Sequence, residues 1–142
     1  MTVLRRPQAV FVDTGAWFAA FVPTDRDHAR AAQWLRQNGR PLVTTDYVLD
    51  ELLTLLLVRG ERERALRVGA ALLDGSLADL HWMTLEDIQQ AWQTFRQFSD
   101  KGWSFTDCTS RIVMERLSIT TAFAFDEHFR QFGIGPVLPL DT

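Results

Sequence analysis

Val10-Phe11-Val12 is an unbroken apolar run that stops at Asp13, the pattern of a buried strand. Thr14-Gly15 punctuates the chain, and residues 16–22 read as a short helix ended by Pro23-Thr24-Asp25. Thr24 and Asp27 have capping-box spacing ahead of a helix that runs to Gln37, with Ala31, Trp34 and Leu35 on one face and Asn38-Gly39 as its stop. Leu42-Val43-Thr44 is a second strand. Residues 46–59 form a helix that is apolar nearly all round and is therefore expected to be largely buried. An amphipathic helix over 61–73 follows, closed by Gly75. Residues 79–83 read as a third strand. Thr84 and Asp87 repeat the capping-box spacing before a helix to Phe98, and 99–103 is a loop. A helix over 106–117, a strand over 120–125 and a short helix over 127–132 complete the alternation. Residues 137–140 read as a final strand that Pro139 restricts to a sheet edge.

Strands alternating with helices imply a parallel sheet covered on both faces, an α/β fold. No repeat, low-complexity tract or linker interrupts the pattern, so the 142 residues are expected to form a single domain over 1–142. A chain of this length buries roughly 70% of its unfolded surface and needs no staples. Cys108 is the sole cysteine, which excludes an internal disulfide and favours a cytoplasmic protein. No apolar run approaches the roughly 20 residues of a membrane span. Residues 1–6 lack a signal-peptide pattern. The net charge of −3 argues against a strong nonspecific nucleic-acid binder but does not exclude a nuclease, whose site acids a metal would offset. The basic residues are arginine apart from Lys101; arginine grips phosphate well, although compositional bias explains the excess more simply.

Four acids stand out: Asp13, Glu51, Asp107 and Asp126. Asp13 and Asp126 fall at the carboxyl ends of predicted strands, the edge where ligands bind in open α/β sheets. Each acid has a plain structural explanation. Asp13 and Asp126 suit helix N-caps. Ser104-x-x-Asp107 fits a capping box, with Trp103 placed to staple against Cys108. Glu51 is the exception. It shares a helical face with leucines, where a lone buried carboxylate is costly unless an arginine or a metal meets it. Converging carboxylates repel by roughly 3 kcal/mol per pair at about 5 Å and an effective dielectric near 20. A cluster of four therefore makes sense around a divalent cation.

Other groups carry less. His28, His81 and His128 have no zinc-ligand spacing with Cys108 and read as surface or half-buried side chains, although His128 follows Asp126 closely enough for a role near a metal. Asp46 and Asp50 are rotated away from Glu51 and read as solvated helix-start charges. The five tryptophans read as core rather than as base-stacking platforms, and Trp103, in a loop beside Asp107, keeps stacking only as a minor alternative. There is no GxxxxGK[ST] or GxGxxG sequence, so nucleotide cofactors have no support.

In order, the segments FVDTGAW around Asp13, TDYVLDELLT around Glu51, WSFTDCTS around Asp107 and TTAFAFDEHFRQFG around Asp126 resemble a PIN domain, specifically the VapC-type toxins of type II toxin–antitoxin systems. The resemblance covers the chain from about residue 9 to 140. It implies a three-layer α/β/α sandwich around a mainly parallel sheet and an Mg²⁺- or Mn²⁺-dependent endoribonuclease. By position, Asp13, Glu51, Asp107 and Asp126 match that family's acidic quartet, and Thr14 matches its small polar residue. Mg²⁺ binds through one or two carboxylates and keeps several waters. Asp13 and Asp107 are accordingly expected as direct ligands, and Glu51 and Asp126 through water or a second ion. The implied partners are an RNA substrate, a cognate antitoxin and a second copy of the chain in a homodimer. A non-catalytic PIN-fold interaction module and an RNA-processing nuclease without a toxin role are the alternatives. Receiver and haloacid-dehalogenase sites fit poorly: Lys101 lies in a loop, and Gly15 stands where a DxD pair needs its second acid.

Overall fold

The computed structural model describes residues 5–140. Five strands, β1 (Val10–Val12), β2 (Leu42–Thr45), β3 (Asp79–His81), β4 (Thr121–Phe123) and β5 (Val137–Leu138), form one sheet in the order β3-β2-β1-β4-β5. Every pairing is parallel, with Phe11 opposite both Val43 and Ala122. Seven α-helices connect and cover the strands: α1 (Thr14–Phe21), α2 (His28–Gln37), α3 (Asp46–Val58), α4 (Arg62–Leu73), α5 (Leu85–Gln97), α6 (Phe105–Arg116) and α7 (Glu127–Gln131). Helix α1 packs on α2 and α3, α3 on α4 and α6, and α5 on α6. This is the α/β sandwich the alternation implies.

Strand β1 is central and wholly buried, which explains why its sequence is an uninterrupted apolar run rather than an alternating one. The chain winds from β1 toward β2 and β3 on one side and places β4 and β5 on the other. The reversal lies between β1 and β4, and a crevice at such a point receives the ligand in open α/β sheets. Trp17 reaches across from α1, and its indole N–H donates to Thr44 Oγ1 at 3.3 Å. That hydroxyl donates in turn to the Val12 carbonyl at 3.0 Å, so the buried Trp17 and Thr44 polar groups are paired. On the other side, Trp34 stacks on Phe123 with ring centres 4.1 Å apart.

Several boundaries differ from the sequence pattern. Helix α2 starts at His28 rather than after Thr24. Asp25 accepts the Asp27 backbone N–H instead, so a local turn uses the residues that would have built the capping box. Residues 99–101 form a 3-10 turn inside the predicted loop. Strands β3 and β4 are shorter than their apolar runs. Strand β5 is a two-residue edge strand that ends before Pro139. Gly135 admits the chain to that edge: a Cβ there would lie 2.1 Å from the Thr120 carbonyl oxygen.

Helix α3 is less buried than its composition predicts. Val48, Leu49, Leu52 and Leu56 face the core, while Leu57 and Val58 are exposed. Packing against α4 is close where Gly69 meets Leu53, with a notional Gly69 Cβ 3.1 Å from the leucine. The other flank of α3 is left open, and Glu51 lies toward it.

Candidate metal centre

The four acids arrive from four elements. Asp13 occupies the N-cap position of α1 at the end of β1, yet its carboxylate makes no capping hydrogen bond. It is only 5% exposed. Burial is the main reason its pKa rises from 3.8 to about 8. The charge of Asp107 adds to the rise, then those of Glu51 and Asp126, with partial opposition from the Thr14 backbone N–H. All three other acids therefore act on Asp13, and the structure brings the predicted quartet together. Beside it, the Thr14 hydroxyl is buried without a protein partner.

Asp107 has the capping role foreseen for it and also lies close to Asp126. The Ser104–Asp107 capping box at the start of α6 is complete: Ser104 Oγ accepts the Asp107 backbone N–H at 3.0 Å, and Asp107 Oδ2 accepts that of Ser104 at 3.0 Å. The cap uses one carboxylate oxygen. Asp126 caps α7 by accepting the His128 backbone N–H at 2.9 Å, and its side chain is 41% exposed. Capping fixes the position of both acids; it does not compete with their gathering at the site.

Glu51 departs from expectation. It is half-buried rather than sunk among leucines, and it lines an open groove with Asp50, Thr54, Leu55, Val58 and Thr106. Of the quartet, Glu51 is the member that lines this groove. The burial anomaly attributed to Glu51 belongs to Asp13. Asp46 is likewise more than a solvated charge, since its Oδ1 accepts the Met83 N–H at 2.9 Å and ties the start of α3 to the end of β3.

His128 is the residue the sequence left aside. Its Nδ1 lies 2.7 Å from Asp107 Oδ2 and 3.4 Å from Asp126 Oδ1. Ligand atoms of Asp107, Asp126 and His128 fall within 4.8 Å of one another. The spacing Asp126-x-His128 across a helix start was the available signal. The remaining histidines are occupied elsewhere: His28 with the Ala19 carbonyl and His81 with Asp87. Trp103 is buried in an aromatic cluster with Phe98 and Phe132, and its indole N–H donates to Gln131. Cys108 is buried, and burial raises its thiol pKa to about 11, which suits an inert core side chain.

The donors are carboxylate oxygens, with the His128 ring nitrogen and one unpaired hydroxyl nearby, and a set dominated by oxygen favours a hard divalent ion. A buried carboxylate without a capping bond, ringed by three acids, fits such an ion well.

Residues 10–135 match the PIN domain model. The chain belongs to the PIN-domain family. Its relatives are VapC-type: it is 32% identical over 130 residues to the 23S rRNA-specific endonuclease VapC20 of Mycobacterium tuberculosis strains CDC 1551 and H37Rv, covering 92% of this chain and 98% of VapC20. The crystal structure of Mycobacterium tuberculosis VapC20, described as a sarcin–ricin loop cleaving toxin, superposes with a TM-score of 0.82 at 31% identity. That match covers 88% of this chain and 95% of that one. FitAcB from Neisseria gonorrhoeae shares the fold at a TM-score of 0.62 and 15% identity, over 90% of this chain and 96% of its own.

Proposed function

We propose that this chain is a divalent-metal-dependent endoribonuclease, the toxin of a toxin–antitoxin pair, carried by a single PIN-like domain. The observation that carries the reading is the environment of Asp13, a buried carboxylate free of any cap and surrounded by the charges of Asp107, Glu51 and Asp126. A structural acid so placed would be a net cost. A ligand for a cation would not.

Asp13 and Asp107 would hold Mg²⁺, with Mn²⁺ able to take its place; Glu51 and Asp126 would act through water or a second ion. When bound, a divalent ion supplies Lewis-acid polarisation of the phosphodiester and eases ionisation of the attacking water. The protein's part is positional. Asp107 is fixed by the cap of α6, Asp126 by the cap of α7, and Asp13 by the β1–α1 corner. Glu51, on the open groove, and the exposed Asp126 would be the acids that meet water and substrate. Water attacks phosphorus, the bond to the leaving oxygen breaks, and no covalent enzyme intermediate is required.

The relationship to VapC20 supports 23S rRNA, at its sarcin–ricin loop, as the substrate. A cognate antitoxin and a second copy of the chain are the proposed protein partners, and the cytoplasm the proposed location. No helix among the described residues is long and apolar enough to cross a membrane. The test is incubation of the purified chain with total RNA and Mn²⁺, followed by mapping of new ends. Discrete cleavage within 23S rRNA supports the proposal. Intact RNA at every Mn²⁺ and Mg²⁺ concentration overturns it.

A further inference from the structure

His128 makes two separate connections to the acid cluster. Its backbone N–H donates to Asp126 Oδ1 at 2.9 Å, and its ring Nδ1 lies 2.7 Å from Asp107 Oδ2. An ionised carboxylate only accepts, so Nδ1 is the protonated ring nitrogen in this pair. Asp107 Oδ2 thus receives two donors, the Ser104 backbone N–H and the His128 ring. Both of these bonds fall on the same oxygen, Oδ2. The two donors approach from different elements, one at the start of α6 and one in α7. The capping box alone fixes where Asp107 sits. The imidazole adds a second anchor that fixes the rotation of its carboxylate.

We propose that His128 is a positioning residue for the metal centre: its Nδ1–H orients Asp107 for the divalent ion, while its backbone N–H holds Asp126 beside it. The inference rests on the reading of the acid cluster as a divalent-metal site. Partners that orient a ligating group from behind typically set metal affinity by about 10- to 100-fold. The ring does this as a hydrogen-bond donor at Nδ1, not through its size or through Nε2. An asparagine places its amide nitrogen near the position of Nδ1, whereas a glutamine places its own near that of Nε2. Every substitution at 128 except proline keeps the backbone N–H that caps α7, so the helix start survives in the variants.

The test is Mn²⁺ binding to the full chain by calorimetry, with no RNA present, alongside thermal melts. The parent binds Mn²⁺. His128→Ala and His128→Gln bind about 10- to 100-fold more weakly with the fold retained, and His128→Asn recovers most of the affinity. Parent-like binding by His128→Ala overturns the inference while leaving the metal site standing. His128→Asn binding as weakly as His128→Ala overturns the role of Nδ1–H. Electron spin-echo spectroscopy of the Mn²⁺-loaded parent provides a separate check. Coupling to a directly coordinated imidazole nitrogen would make His128 a ligand and overturn its positioning role. A parent that binds neither Mn²⁺ nor Mg²⁺ refutes the metal reading itself.

Discussion

The backbone N–H of Asp13 donates to the carbonyl of Phe123 at 3.1 Å, tying the end of β1 to the end of β4. Three residues beyond Phe123 the chain reaches Asp126. The first and last acids of the quartet thus lie just beyond the ends of neighbouring parallel strands, at the crevice where the winding of the sheet reverses. Sheet topology brings these two acids together because β1 and β4 end at the same edge, while Glu51 and Asp107 arrive on α3 and α6.

The raised pKa of Asp13 has a consequence for stability. Its folded pKa, about 8, lies above the ordinary 3.8. Between those values the folded metal-free protein keeps a proton that the unfolded chain has lost, so this group lowers stability as pH rises, by at most about 1.4 kcal/mol per pH unit. Asp13→Asn removes the effect. In urea melts with chelator, the variant gains on the parent from pH 4 to 8, and the difference levels off above 8. A difference independent of pH would contradict the burial of an ionisable Asp13.

Metal binding must displace that proton. Mn²⁺ affinity of the parent therefore rises with pH until Asp13 is ionised, near pH 8, and binding below that pH releases a proton to buffer. Calorimetry in two buffers of different ionisation enthalpy measures the release. Zero proton release at pH 6 would contradict an Asp13 that is protonated before the metal binds.

The open flank of α3 predicts a contrast between neighbours that look alike in sequence. Leu56 is 1% exposed and Val58 is 75% exposed. Leu56→Ala is expected to cost about 2–5 kcal/mol, and Val58→Ser to change stability by no more than about 0.5 kcal/mol. Equal losses in denaturant melts would mean that Val58 is covered, as it would be in an assembly of two chains.

Gly135 is required for a different reason. A Cβ there meets backbone, not a flexible side chain. Gly135→Ala is expected to destabilise by about 1–3 kcal/mol, the usual cost of overpacking, read as a lowered urea midpoint. An unchanged midpoint would show that β5 can shift without loss.

Much of this was legible in the chain. Val10-Phe11-Val12 reads as a buried strand and is one, and the capping boxes at Thr84 and Ser104 form as their spacing predicts. The resemblance named the four acids, and the structure gathers them. What escaped the sequence depends on where neighbours stop. The leucines of α3 are apolar all round, but only one flank meets α4, so Glu51 could not be distinguished from a buried acid. Asp13 looked like an ordinary N-cap because capping depends on a side-chain rotamer, which composition does not record. His128 was set aside because its partner lies 21 residues away on α6, a proximity that only the packing of α7 creates.

The central claim is tested most directly by Asp107→Asn. Asparagine can still accept the Ser104 N–H, so the cap and the fold should survive, and circular dichroism and the melting curve should match those of the parent. The account predicts that Mn²⁺-dependent cleavage of 23S rRNA by the parent is lost in this variant. Parent-like cleavage by a folded Asp107→Asn protein would contradict it.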